Sequence, residues 1–118
     1  MANLEREGND LVLRLSAIEA VESLHGDLRV PMASVSAIDV VDDAQEWTRI
    51  RTGFKVGMRV PGVASVATVY KQGRKLFVAV HEATVRGLRV TFSDQSWDEW
   101  VVGCEEPEVV RDVLFETT

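Results

Sequence analysis

Residues 98–116 read DEWVVGCEEPEVVRDVLFE, and the spacing of their apolar residues changes part-way through. Up to Cys104 the stretch reads as a strand, with Trp100, Val102 and Cys104 on one face because strand side chains alternate. Beyond it, Pro107 stands where a first helical residue needs no amide. Acids fill the first turn near the positive end of the dipole, and Val109, Val110, Val113 and Leu114 recur at helical spacing. A strand followed by an amphipathic C-terminal helix is predicted.

Upstream, the period is two. VASVATVYK (63–71) reads as a strand, QGR as a tight turn with Gly73 supplying a positive φ, and KLFVAVH (75–81) as the antiparallel partner. LRVTFS (88–93) alternates Leu88, Val90 and Phe92 with Arg89, Thr91 and Ser93. DLVLRL (10–15) is a first strand. SAIEAVESL (16–24) carries Ser16 three residues before Glu19, a capping-box pattern that predicts one or two turns of helix. LRVPMASVSAIDVV (28–41) gives two short strands broken at Pro31, which lacks the amide a central ladder needs. DDAQEW (42–47) reads as a turn or short helix capped by Asp42 or Asp43. TRIRTGFKVGMRVPG (48–62), with glycines at 53, 57 and 62 and Pro61, reads mostly as loop, with room for a strand at 48–51. The sum is about seven short, mostly hairpin-ordered antiparallel strands closed by one helix, a sheet that must curl to bury its faces. Leu13, Val30, Val78, Val90, Trp100 and Val113 are expected to share one core.

A chain of 118 residues suits a single domain, here 10–116, after a polar and flexible 1–9. No apolar run approaches the roughly 20 residues that cross a bilayer, MANLEREGND has no signal-peptide core, and a lone Cys104 forms no internal disulfide. These features suit the cytoplasm. A net charge of -6 argues against a nucleic-acid partner. That charge is unevenly spread: Trp47 to His81 holds seven basic residues and no acid, leaving -13 for the rest of the chain. Such asymmetry can steer anions or organise self-association.

Antiparallel strands capped by a C-terminal helix outline the pleckstrin-homology (PH) superfold, and two segments carry a closer likeness. DLRVPMASVSAIDVV (27–41) resembles the strand–Pro–Ser-x-Val/Ile–strand segment of bacterial PH-like domains. RTGFKVGMRVPGVASVATVY followed by GRKLFVAV resembles small actinobacterial proteins of this type. The likeness spans about residues 10–115. It implies a PH-like barrel and says almost nothing of activity. The phosphoinositide cluster of eukaryotic PH domains lies between the first two strands, where SAIEAVESLHGD here is net acidic, so that site does not carry over.

Chemical candidates are few. Cys104, His25 and His81 are the only members available for a nucleophile–base arrangement; Cys104 reads as a small packed hydrophobe and the histidines as solvent-facing. Metal ligands at suitable spacing are lacking. GFKVGMRVPG matches neither phosphate-binding glycine signature. The sequence therefore predicts no catalysis, no cofactor and no metal. Two readings stand. One is a PH-like module that binds a protein partner or itself through a sheet edge or the groove beside the helix. The other is a peripheral module that takes an anionic ligand, such as a phospholipid headgroup, on Arg49, Arg51, Lys55 and Arg59, joined by Lys71, Arg74 and Lys75.

Overall fold

A computed structural model describes residues 3–14, 28–44, 54–60, 64–71, 73–81 and 85–115, with the side chains of 54–67, 71, 81 and 115 outside the description. The fold is mainly β. Strands β1 (Asn3–Glu7), β2 (Asp10–Arg14) and β3 (Leu28–Pro31) form an antiparallel three-stranded sheet in that order. β4 (Val35–Val41), β5 (Phe54–Val60), β6 (Ala64–Lys71), β7 (Arg74–His81), β8 (Gly87–Phe92) and β9 (Glu99–Gly103) form a six-stranded sheet. Its order is β4-β8-β9-β7-β6-β5, and helix α1 (Pro107–Phe115) follows.

Several strands lie where alternation places them, including the β6–β7 hairpin, where Lys71 pairs with Arg74 beside Gly73 at φ 75°. β3 ends at Pro31, and Met32–Ser34 make one 3-10 turn before β4. Proline is tolerated there because β3 is an edge strand.

Four expectations need correction. Asn3–Glu7, expected to be flexible, is a strand, held to β2 through a two-residue turn whose first residue, Gly8, takes φ 61°. Most of 48–62 was expected to be loop, yet 54–60 is β5, paired with β6 from Phe54↔Tyr70 to Val60↔Ala64. Glycines there lower strand propensity, but a neighbouring strand overrides it. Among the described residues the strands form no closed barrel: they divide into two sheets, and β7 pairs with β9 in parallel, from Leu76↔Glu99 to Ala79↔Val102. A chain of hairpins cannot make that pairing; the chain leaves β7, lays β8 one position further out, and returns as β9 between the two.

The fourth correction concerns the core. β7 and β9 are central and buried on both faces, which is why KLFVAVH and WVV read as continuous apolar runs. Phe77, Ala79, Val90, Phe92, Trp100 and Val102 meet Leu11, Leu13, Val30 and Leu114 in one cluster. Leu76, Val78, Val80 and Val101 form a second cluster with Val69 and Ala44. Val78 therefore belongs to a different cluster from the other expected core residues, and Val113 is 56% exposed. The predicted helix at 16–24, residues 45–47 of the turn or short helix expected over 42–47, and the strand option at 48–51 lie outside the described residues.

Backbone packing is tight where β8 begins. Gly87 pairs with both Val41 and Gly103, and a Cβ there would sit 2.3 Å from the Val102 carbonyl oxygen and 3.0 Å from Ala44 Cβ. Only glycine fits without a backbone shift. The aromatic rings of the first cluster meet edge to face, Phe92 with Trp100 at 4.7 Å and Phe77 with Trp97 at 5.3 Å between centroids. The indole N–H of Trp100 is buried with no hydrogen-bond partner, so the packing of that ring carries a desolvation cost.

Candidate functional site

Helix α1 has more apolar surface than one seam can cover. Val110 and Leu114, four residues apart, pack on the first core cluster. Val109 and Val113 form a parallel row that stays 55% and 56% exposed. This row and strand β1 wall an open groove of about 410 Å³, with Leu4, Glu5 and Arg6 on the strand side. The Arg6 guanidinium donates to the Gly8 carbonyl at 3.1 Å and to the Leu114 carbonyl at 3.3 Å, tying the strand to the last turn of the helix. A smaller recess of about 60 Å³ lies next to Leu4 and Val110 and reaches Cys104.

The ladder register sets which backbone groups of β1 face this groove. Met32 N–H donates to the Asn9 carbonyl at 2.8 Å, and Leu11 faces Val30 in the same ladder. Leu11 and Leu13 therefore bond towards β3, and Asp10, Val12 and Arg14 towards β1, since bonding direction alternates along antiparallel strands. The β1 partners of those three are Glu7, Glu5 and Asn3. The amides and carbonyls of Leu4 and Arg6 consequently point away from β2, along the groove. Outer-face charges close over this sheet. Arg14 bonds to Glu5 and Glu7, while Arg29 reaches Asp10 at 3.0 Å and Glu7 at 3.5 Å. The bond to Asp10 is the main cause that raises the Arg29 pKa. Glu105, Glu106 and Asp112 are exposed on the helix and its approach.

Of the basic residues singled out in the sequence, Arg49 and Arg51 lie outside the described residues, and Lys55, Arg59 and Lys71 are placed by backbone only, in β5 and β6. Arg74 and Lys75 are engaged within the chain. Arg74 lies 3.4 Å from the buried Glu99, which also accepts from Arg89, and Lys75 Nζ sits 4.3 Å over the Trp97 ring. These two cations do not converge on a shared anion pocket.

His25 falls outside the described residues, and His81 ends β7 with its side chain outside the description. Cys104 is half-buried; burial, followed by the nearby Glu108 charge, raises its thiol pKa to about 11 against a smaller opposing pull from Arg86. Arg86 instead binds Glu108 at the start of α1 and lies 3.9 Å from Asp42. That hydrogen bond is the main cause of a lowered Glu108 pKa. No helix among the described residues is long and apolar enough to cross a membrane.

The sequence named a sheet edge or helix groove as a docking place without naming Leu4, Arg6, Val109 or Val113. The available signal was the doubled valine row of VVRDVL, which is wider than one packed seam requires. No protein-family model, curated protein or solved structure matches this chain.

Proposed function

We propose that this protein is a non-catalytic interaction module that docks an extended protein segment along β1, in the groove beside the C-terminal helix. The observation that carries this reading is the exposed Val109–Val113 row in the groove beside strand β1, where the Leu4 backbone groups point away from β2. Strand addition draws affinity from main-chain bonds and specificity from sites for alternate side chains, and the groove offers both. A thiol held at about pKa 11 supports the non-catalytic part, because the thiolate is the nucleophile. The C-terminal helix beside a sheet edge supports a PH-like scaffold, whereas the parallel β7–β9 pair departs from its antiparallel plan. A cytoplasmic setting belongs to the same reading.

Selection from a displayed library of random peptides tests it. Enriched peptides should alternate apolar residues, protect the Leu4 amide from exchange, and lose binding to the Val109→Glu/Val113→Glu double variant. Binding that ignores this double variant but collapses with salt, and is matched by binding to anionic vesicles, would instead select the anionic-ligand reading on Arg49, Arg51, Lys55 and Arg59.

A further inference from the structure

We infer that the segment this groove takes is cationic: an extended protein segment in which apolar residues alternate with lysine or arginine. This deepens the docking reading and rests on it. Successive residues of a helix lie about 100° apart around its axis. Starting from the packed seam of Val110 and Leu114, the circuit of α1 passes the open Val109–Val113 row and then reaches Asp112 and Glu108. The groove takes in Val110 and Leu114 as well as the row, so β1 stands on its seam side. An occupant seated on the valines therefore has β1 on one flank and Asp112 on the other. Val109 and Val113 are one turn apart, about 6 Å along the axis. Alternate side chains of an extended segment repeat at about 6.6 Å, so two apolar residues two positions apart seat on both valines.

Charge decides the class of occupant. Glu108 is engaged by Arg86, but Glu105, Glu106 and Asp112 are exposed and form no ion pair among the described residues. Glu105 and Glu106 follow directly on Cys104, which lines the recess adjoining the groove. Of the charged residues that line the groove itself, Glu5 is bound by Arg14, and Arg6 is tied to the Gly8 and Leu114 carbonyls. Their charges are opposite, so the three carboxylates set the sign. Helix stability accounts for Glu105 and Glu106, which lie near the positive end of the dipole. It does not account for Asp112, which opens the last turn, where an acid opposes the dipole and no basic residue offsets it. Nor does it account for the exposed Val113, since a β-branched residue lowers helix propensity. A basic side chain held between apolar ones meets both features. A second copy of this chain does not, because packing two α1 helices through their valine rows sets acidic flank against acidic flank. The net charge of -6 also favours the approach of a cationic segment.

Fluorescence anisotropy with two labelled peptides tests the inference, one alternating valine with lysine and the other alternating valine with glutamate. The lysine peptide should bind and the glutamate peptide should not. Val109→Ser/Val113→Ser removes the apolar row at constant charge and should abolish binding. Asp112→Asn should weaken binding of the lysine peptide about threefold, the scale of one exposed charge pair, with an unchanged melting temperature. Asp112→Lys should weaken it further and narrow the preference between the two peptides. Asp94→Asn removes the same charge from the β8–β9 turn, at the far end of β9 from α1, and should change nothing. Equal binding of the two peptides, an Asp112→Asn variant that binds as the native chain does, or an equal loss in Asp94→Asn would overturn the inference. Selection of uncharged peptides that still need Val109 and Val113 would overturn it while the docking reading stands. Lysine-peptide binding that survives the serine double variant would remove the docking reading with it. Self-association of the native chain that the serine double variant abolishes would give the row to a second copy instead.

Discussion

Val113 and Leu114 are adjacent in sequence and opposite in environment. Leu114 is 1% exposed against the first core cluster, whereas Val113 is 56% exposed over the groove. Val110 and Val109 repeat the contrast one turn earlier. The packed seam serves stability, because each residue in it removes apolar area from water on folding. The open row beside it contributes little to the isolated fold and leaves apolar area beside strand β1. Under the proposed docking reading, the helix holds the core with one row and offers the other.

Substitutions should break that contrast if it is wrong, and the largest effect belongs to the core beneath the seam. Trp100→Ala should destabilise by about 3–5 kcal/mol in denaturant unfolding. Trp100→Phe should cost far less than that, because it removes an indole N–H that has no partner. Leu114→Ala should cost about 2–5 kcal/mol. Gly87→Ala should come next, at about 1–3 kcal/mol, since the added Cβ meets the Val102 carbonyl at 2.3 Å. Val113→Ala should stay within about 0.5 kcal/mol of the native chain, as an exposed change to the best helix former. Equal losses at Val113 and Leu114 would erase the distinction between seam and groove.

Two smaller effects sharpen it. Cys104 lies at the recess beside the groove, and with its thiol near pKa 11 it should react slowly with maleimide at neutral pH. Labelling should accelerate as pH rises towards that value, or once the chain unfolds. The smallest effect is that of Arg86 and Glu108, an exposed pair. Glu108 has a lowered folded pKa, so its stabilising share is present above the ordinary carboxylate range and is lost as pH falls through the lowered value. Glu108→Gln should remove that acid-side slope from a melting-temperature profile and leave the groove unchanged.

The sequence by itself determined elements whose signals are local. The apolar run of KLFVAVH, alternation in LRVTF, the two-residue turn at Gly73, and Pro107 before a helical repeat specify β7, β8 and α1 with little help from elsewhere. The same signals missed β1, because NLERE has one apolar residue in five and becomes a strand only by pairing with β2. They missed β5 because its glycine weakens propensity and its ladder with β6 compensates. The candidate site was legible as a type of place, an edge or a helix groove, but not as Leu4, Arg6, Val109 and Val113. Only the tertiary structure decided which valine row of α1 is packed, that Arg74 and Lys75 turn to Glu99 and Trp97, and that β9 lies parallel to β7. The physical reason is one of range. Period and turn chemistry depend on residues a few positions apart, whereas burial of one row over another, the partner of a charge and the neighbour of a strand depend on segments brought together only by folding.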